Sequence, residues 1–235
     1  MMLKVEQLVS GYGTDPILRG VTFEVPDRSI TAVFGHNGAG KSSLVRALIG
    51  LIPIWDGRVV LGGRDLSSLS SRSRVEAGIA VSFQDDSVFP SMSVENNLRL
   101  GGHVRQRDKR WLNERLRHVL SLFPKLEERL RQPAYTLSGG ERRMLSIGMA
   151  LMTDPKLIIL DEPSTGLSPG MTEFVFHSVR DLRDKLGKSV VLIEQNVQQA
   201  LTVADKAVVL KTGTIIFDGP ADTLANDESE LVMLF

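Results

Sequence analysis

The sequence contains no cysteine among its 235 residues. It can therefore form no disulfide, no thiolate metal site and no cysteine nucleophile, so any chemistry must use oxygen and nitrogen groups. A net charge is also missing, because 28 Lys and Arg residues balance 28 Asp and Glu residues. No field over the whole chain favours a polyanion, and the composition argues against a nucleic-acid-binding protein.

Long hydrophobic runs are missing as well. The stretch at residues 47–55 is interrupted by Gly50 and Pro53, and the apolar run at residues 157–160 is short. Neither stretch is long enough to span a bilayer. Glu6 lies where a secretory signal would need an apolar core, so we expect no targeting segment. We expect a cytosolic chain that can still dock on a membrane protein.

Short β-branched runs alternate with helical patterns along most of the chain. Residues 21–25 and 30–34 are typical of strands, and the apolar periodicity of residues 41–49 is typical of a helix. Later apolar runs without alternation occur at residues 78–83, 157–160 and 189–193. Parallel strands covered on both faces have this pattern. The sequence therefore predicts an α/β fold with a mostly parallel central sheet.

Strand signals disappear between residues 85 and 153, which we interpret as a helical insertion between core segments at residues 1–84 and 154–235. Apolar residues recur there on one helical face, namely Leu112, Leu116, Val119, Leu120 and Phe123. Positive charge exceeds negative charge over residues 105–131. A solvated helix face and a docking surface for an acidic partner both explain this excess. For the acidic residues 222–230 we predict a surface helix.

A glycine-rich turn between a predicted strand and a predicted helix fits the phosphate-loop pattern G-x-x-x-x-G-K-[ST]. It consists of Gly35, His36, Asn37, Gly38, Ala39, Gly40, Lys41 and Ser42. Its glycines let successive backbone N–H groups point inward, and the helix adds the positive end of its dipole. We predict a polyphosphate site in which Lys41 reaches the β and γ phosphates and Ser42 binds Mg²⁺.

Two carboxylates, Asp161 and Glu162, follow the apolar run at residues 157–160. Ligands in open α/β sheets bind at the carboxyl ends of the strands, so Asp161 should face the same crevice as the phosphate loop. We expect Asp161 to hold the Mg²⁺ shell. Glu162 points elsewhere and is a candidate to polarise a water for attack on the γ phosphate.

A second anion-binding sequence precedes another helical pattern. It consists of Leu137, Ser138, Gly139, Gly140 and Glu141. A serine hydroxyl and glycine amides at a helix N-terminus again suit phosphate. With the phosphate loop upstream and the two carboxylates downstream, the chain resembles the ATPase subunit of an ATP-binding cassette (ABC) transporter over nearly its whole length. The resemblance implies a phosphate-loop NTPase core, an N-terminal antiparallel β portion and an inserted α-helical subdomain.

The resemblance also implies ATP as the nucleotide, Mg²⁺ as the metal and roles for further residues. Ser138, with Gly139 and Gly140, would close over ATP held by a second ATPase subunit. Tyr12 matches the aromatic residue that stacks on adenine, and Ser43 extends the phosphate contacts. Gln84 matches the glutamine that contacts Mg²⁺ and leads into the helical insertion, where the family meets the membrane subunit.

Two positions depart from the family pattern. The family usually has Asp where this chain has Ser168, and His where it has Gln195. A glutamine amide can donate a hydrogen bond to the γ phosphate but cannot carry a titrating proton at neutral pH. Catalysis would therefore rest on Glu162 and on electrostatic positioning by groups such as Lys41 and Gln195.

Several segments are similar to the shorter ATPase of branched-chain amino-acid importers and of their urea or amide relatives. They lie at residues 89–98, 123–126, 163–169 and 194–196. This resemblance implies a second ATPase subunit, identical or not, permease subunits and, indirectly, a solute-binding protein, with no nucleic acid. It implies the cytoplasmic face of a bacterial-type membrane. A soluble cassette ATPase acting on ribosomes or DNA, a regulatory module that does not hydrolyse ATP, and a different cargo remain alternatives.

Overall fold

The computed structural model describes residues 2–84 and 88–226. The strands are β1 (Leu3–Tyr12), β2 (Asp15–Val25), β3 (Ile30–Phe34), β4 (Ile54–Leu61), β5 (Arg64–Asp65), β6 (Ile79–Ser82), β7 (Leu157–Asp161), β8 (Ser189–Ile193), β9 (Lys206–Lys211) and β10 (Thr214–Pro220). The helices are α1 (Lys41–Leu48), α2 (Ser71–Ala77), α3 (Val94–Gly101), α4 (Lys109–Leu122), α5 (Pro124–Glu127), α6 (Gly139–Leu151), α7 (Pro169–Asp184), α8 (Val197–Leu201) and α9 (Ala221–Ala225), with short 3₁₀ turns at His103–Arg105 and Ala134–Thr136. None of the helices in this described part of the chain has both the length and the hydrophobicity of a transmembrane helix.

Two sheets form the framework. The larger sheet has the order β10-β9-β3-β8-β7-β6, in which only the edge strand β10 runs antiparallel to its neighbour. The smaller sheet, with the order β2-β1-β4-β5, is antiparallel throughout. Helices α3 to α6 lie between β6 and β7 in the chain. The predicted fold, a mostly parallel sheet with an N-terminal antiparallel portion and a helical insertion, is confirmed.

The central strands are buried on both faces, which explains their uninterrupted apolar sequences. In β7, Ile158 and Leu160 belong to one apolar cluster, while Leu157 and Ile159 belong to another on the opposite face. Successive side chains of a strand point to opposite faces, so a single run of apolar residues serves two cores.

Each of the two cores has its own covering layer. One core joins the sheet to α7 and to the inserted helices through residues such as Val119 and Leu145. The other joins the opposite face of the sheet to α1 and to the antiparallel strands through residues such as Leu44 and Val5. The inserted helices therefore pack on the central sheet and share its apolar core.

Most predicted elements occur with small shifts in their ends. Helix α1 stops at Leu48, and α4 buries Leu112, Leu116, Val119 and Leu120 on the predicted face. For the surface helix that we predict over residues 222–230, the described residues contain only a short helix. Helix α9 covers Ala221–Ala225, and residues 227–230 lie outside the described part of the chain.

Arg74 is a buried side chain that ties the end of α1 to α2. Its guanidinium donates to the carbonyl oxygens of Ala47, Leu48, Ser67 and Leu69 at 2.6 to 3.0 Å. Only 2% of Arg74 is exposed. A cation at the C-terminal end of α1 also offsets the negative end of the helix dipole. Arg74 therefore fixes the helix that begins at the phosphate loop.

We predict that Arg74→Met lowers the free energy of unfolding by about 2–4 kcal/mol, because buried carbonyl oxygens lose their donors. Urea denaturation followed by circular dichroism measures the change. Arg72→Met is the matched control, since Arg72 is exposed and pairs only with Glu76 among the described residues. Equal midpoints for Arg74→Met and the wild type would contradict this role.

Candidate functional site

The phosphate loop connects β3 with α1, and two glycines shape it. Gly35 has a φ of 154°, and a Cβ at this position would lie 2.3 Å from the carbonyl oxygen of Leu210. Gly40, the N-cap of α1, has a φ of 110° and offers no side chain to cap the helix. The loop is closed internally by a 3.1 Å hydrogen bond from the amide of Ala39 to the carbonyl of His36. The first-turn amides of α1 therefore form an end that can receive phosphate.

Lys41 is the first residue of α1, and its side chain turns back into the loop. Its ammonium donates hydrogen bonds to the carbonyl oxygens of Gly35 and His36, at 2.7 and 3.3 Å. The same nitrogen lies 3.9 Å from a carboxylate oxygen of Glu162, and both side chains are buried. The loop thus surrounds the ammonium group of Lys41. This group can give up its hydrogen bonds to carbonyl oxygens and bond phosphate oxygens instead.

Asp161 and Glu162 lie where β7 ends. Asp161 is the last residue of the strand, and Glu162 turns the chain away with a φ of 47°. The amide of Glu162 donates to the carbonyl oxygen of Ile193, the last residue of β8, at 2.9 Å. Because β8 lies between β7 and β3, both carboxylates are at the edge of the sheet where the phosphate loop begins.

Gln195 connects Glu162 with the phosphate loop. Its amide nitrogen donates to both carboxylate oxygens of Glu162, at 2.8 Å each, and lies 3.3 Å from Oδ1 of Asn37. The hydroxyl of Thr165 donates a further bond to the carboxylate at 3.3 Å. The structure therefore brings three predicted site residues together through one amide group. Contact of Gln195 with the γ phosphate stays a prediction.

Glu194 joins two loops of the site, although the sequence predicted no role for it. Its two carboxylate oxygens accept hydrogen bonds from the amides of Ser164 and Gln195, at 2.9 and 3.2 Å. Burial raises the pKa of Glu194, and these hydrogen bonds oppose the rise. Glu194 directly follows a fully buried strand, as Glu162 does, and this common pattern is the signal that could have identified it.

Asp161 lies in an unfavourable environment for a carboxylate. Burial, followed by the negative charge of Glu162, raises the pKa of Asp161 from 3.8 to about 6, while Lys41, Arg46 and Arg143 oppose the rise. An added positive charge beside the two carboxylates is therefore favourable.

Three side chains with oxygen donors belong to this edge of the sheet. Ser42 is exposed in the first turn of α1, Gln84 is half-buried just beyond β6, and Asp161 ends the neighbouring strand β7. Hydroxyl, amide and carboxylate oxygens are ligands that Mg²⁺ prefers, so the donor set fits the predicted metal.

Two further residues were predicted to contact phosphate. Ser43 is buried, while Gly38 lies in the loop itself with a φ of 83°.

Tyr12 is the last residue of β1 and is oriented by a residue of α1. Its hydroxyl accepts a 2.8 Å hydrogen bond from Arg46, and 45% of Tyr12 is exposed. Because α1 begins at the phosphate loop, this bond holds the ring on the same side of the molecule. An exposed aromatic face can stack on a base. Arg46 is a contributor that no motif indicated.

Ser138, Gly139 and Gly140 begin α6 and lie beside α7. Ser138 forms a capping box with Glu141, in which each residue bonds the backbone of the other. A side chain at Gly140 would collide with Met171, and one at Gly139 would meet Leu167. These neighbours belong to the segment that follows Glu162, and none is a phosphate-loop residue.

The site combines a glycine-rich loop at a helix N-terminus, a buried lysine and two carboxylates at a nearby strand end. These features define a phosphate-loop nucleotide-binding protein.

Comparisons with known proteins identify the family. A family model described as ABC transporter matches residues 18–165. The chain is 39% identical to a probable branched-chain amino acid transport ATP-binding protein of Archaeoglobus fulgidus, over 97% of this chain and 95% of the relative. It is 41% identical to a high-affinity branched-chain amino acid transport ATP-binding protein of Pseudomonas aeruginosa, over 96% of each chain. A solved nucleotide-free ATP-binding cassette from an ABC transporter matches with a TM-score of 0.88 and 28% identity, over 99% of this chain and 98% of the other.

The chain belongs to the ABC transporter family, as its ATP-binding subunit. It is an ATPase of that family, which confirms the predicted family and activity.

We predict that Asp161→Asn raises the melting temperature of the nucleotide-free protein by a few degrees near neutral pH. The pKa of Asp161 is about 6 in the folded chain and 3.8 ordinarily. Ionisation of Asp161 therefore lowers the stability of the fold increasingly as the pH rises from about 4 to about 6. Above about pH 6 the full loss of stability is present. The gain should be larger at about pH 7.5 than at about pH 5.

Differential scanning calorimetry at both pH values measures the gain. Asp15→Asn, at an exposed hairpin position, is the control and should change little. A gain that is equal at both pH values, or a loss at the higher one, would show that the environment of Asp161 does not disfavour its charge.

Proposed function

We propose that this subunit powers the import of branched-chain amino acids through a membrane permease. The observation that carries the proposal is the similarity, over nearly the full chain, to two branched-chain amino acid transport ATP-binding proteins. The subunit would work at the cytoplasmic face of the cell membrane, beside a second ATPase subunit. A solute-binding protein would deliver the amino acid to the permease and act on this chain only indirectly.

The phosphate loop binds the triphosphate of ATP in this proposal. The first-turn amides of α1 and the loop around Gly38 receive phosphate oxygens, because a helix N-terminus attracts negative charge. Lys41 leaves the carbonyl oxygens of Gly35 and His36 and bonds the β and γ phosphates. Ser42, Gln84 and Asp161 would hold Mg²⁺, which supplies positive charge to the phosphate oxygens.

Glu162 is the group that polarises the attacking water in the proposed reaction. Its carboxylate is buried and already accepts hydrogen bonds from Gln195 and Thr165. Gln195 has no group that titrates near neutral pH, so it orients the carboxylate and donates hydrogen bonds. Proton transfer therefore falls to Glu162, with Lys41 and the loop amides stabilising charge on the γ phosphate.

The start of α6 completes the site of a second subunit. Gly139 and Gly140 lie against Leu167 and Met171 in their own chain, and Ser138 caps the same helix. In this proposal the anion-binding end of α6 serves the ATP of the neighbouring subunit. ATP bound between two subunits would then hold them together, and hydrolysis would release them.

An apolar groove beside Gln84 is the proposed contact with the permease. It runs between β6 and the inserted helices and is lined by Val81, Phe83, Leu100 and Met149, among others. The exposed fraction of Leu100 is 36%, so this apolar side chain is accessible to a partner. A short amphipathic helix of the permease fits this chemistry, because apolar residues would fill the groove. Residues 85–153 would then form, together with β6, the contact with the membrane subunit.

Glu162→Gln should lower ATP turnover by about two orders of magnitude or more, because a general base contributes on this scale. Affinity for ATP should change by less than about twofold, since the carboxylate acts mainly in the transition state. Phosphate release and equilibrium nucleotide binding measure the two effects. Glu173→Gln, at an exposed position of α7, is the control. Unchanged turnover would remove Glu162 from the proposed role.

The same variant tests the cargo. In cells that depend on this chain for uptake, Glu162→Gln should abolish the uptake of labelled leucine, while sulfate uptake should persist. Loss of sulfate uptake with intact leucine uptake would point to a different importer. Normal uptake of both solutes, despite lost turnover in the purified protein, would contradict this cargo and leave another cargo or a soluble ATPase.

Tyr12→Ala should weaken ATP binding by about 1–3 kcal/mol, the scale of stacking between a base and an aromatic ring. Tyr12→Phe keeps the ring and loses only the bond to Arg46, so its loss should be smaller. The sequence has two tyrosines, and Tyr135→Ala, at the other, is the control. Isothermal titration with ATP measures all three. Equal affinity of Tyr12→Ala and wild type would show that Tyr12 does not stack on the adenine.

A further inference from the structure

Helix α6 carries Arg143, whose guanidinium holds the chain at Gln84. Nη1 donates to the carbonyl oxygen of Phe83 at 2.8 Å, and Nη2 donates to the carbonyl oxygen of Gln84 at 3.0 Å. The planar fork of arginine spans two successive carbonyl groups, which the single ammonium of lysine cannot do. The contact uses the backbone of Gln84, so it fixes the position of the residue without occupying its side-chain amide.

A second contact attaches α6 to the strand that leads to Gln84. The hydroxyls of Ser82 and Ser146 lie 2.5 Å apart, and both residues are buried. Ser146 follows Arg143 by three residues, so both side chains lie on one face of α6. Helix α6 is therefore joined to the end of β6 at two successive points.

The same helix begins at Ser138, which caps it. Arg143 follows Ser138 by five residues, which is about 7.5 Å along the helix. The positive charge of Arg143 also opposes the rise in the pKa of Asp161. One short helical segment thus connects the proposed contact with a neighbour's ATP to the residue proposed to contact the chain's own Mg²⁺.

We infer that Arg143 is a positioning residue that couples the two ends of this segment. When α6 moves so that Ser138 reaches ATP on the neighbouring subunit, Arg143 carries the backbone of Gln84 with it into the chain's own site. Closure of the dimer and completion of each catalytic site then occur in one movement. This inference rests on the proposed function, because it takes Ser138 and Gln84 to act at two different ATP molecules.

A double-mutant cycle on the full chain tests the coupling. Turnover is measured for the wild type, Arg143→Met, Gln84→Ala and the double variant, at a protein concentration high enough for dimers to form. We expect Arg143→Met to lower kcat about tenfold, as loss of two charge-assisted hydrogen bonds does, with ATP affinity changed less than about twofold. The double variant should turn over no more slowly than Gln84→Ala alone, because both changes remove the same event.

Two further variants separate positioning from simple loss of structure. Arg143→Lys retains the charge without the fork and should recover part of the lost kcat. Arg99→Met removes an arginine whose side chain bonds Glu95 and Asn113, and it should leave kcat unchanged. Melting temperatures are recorded for all variants, and Arg143→Lys replaces Arg143→Met in the cycle if the latter does not fold.

Three results would overturn the inference. The first is a wild-type kcat for Arg143→Met. The second is a double variant in which the losses of kcat from Arg143→Met and Gln84→Ala multiply, and the third is a loss of kcat in Arg143→Met when Gln84→Ala loses none. The proposed function fails by a different result, unchanged turnover in Glu162→Gln, which is measured beside them. A failure of the coupling is therefore distinguishable from a failure of the ATPase assignment at Glu162.

Discussion

The position of β8 between β3 and β7 is the constraint on which the site depends. Neighbouring strands of a sheet are about 4.8 Å apart, so β3 and β7 are separated by about twice that distance. The loop after β8 fills this gap, where Ile193 accepts the amide of Glu162 and Gln195 reaches both the carboxylate and Asn37. Since all three strands run parallel, their loops meet at one edge, and each carries a different part of the chemistry.

The charges at this edge explain why the loops need so many hydrogen bonds. Lys41, Asp161, Glu162 and Glu194 are all buried, and three of them are carboxylates. Backbone amides satisfy Glu194, an amide side chain and a hydroxyl satisfy Glu162, and carbonyl oxygens hold Lys41. Burying charge without such partners strongly destabilises a fold. These buried charged groups are therefore suited to bind a polyanion with its cation, and burying them costs more free energy when neither is bound.

The sequence reveals those parts of the site whose residues are neighbours in the chain. It does not reveal contacts between residues that are far apart in the chain. The phosphate loop and its Lys41 lie in one short stretch between a strand and a helix, so spacing alone identifies them. The bond between Gln195 and Glu162 joins residues 33 apart, and the bond between Arg46 and Tyr12 joins residues 34 apart. Such contacts depend on strand order and on the direction of each side chain, which composition and periodicity do not specify. The fold class was predictable because buried parallel strands leave uninterrupted apolar runs.

The backbone of Glu162 has a consequence for how this protein would respond to selection in the laboratory. With a φ of 47°, it occupies a region where glycine or asparagine is more comfortable than glutamate. Strained backbone of this kind persists at functional sites because the surrounding structure enforces it. A screen that rewarded heat resistance alone would therefore tend to replace this residue. Heat-resistant variants of the chain should therefore be selected for ATP turnover as well, because selection for stability alone would retain the fold and lose the catalytic activity.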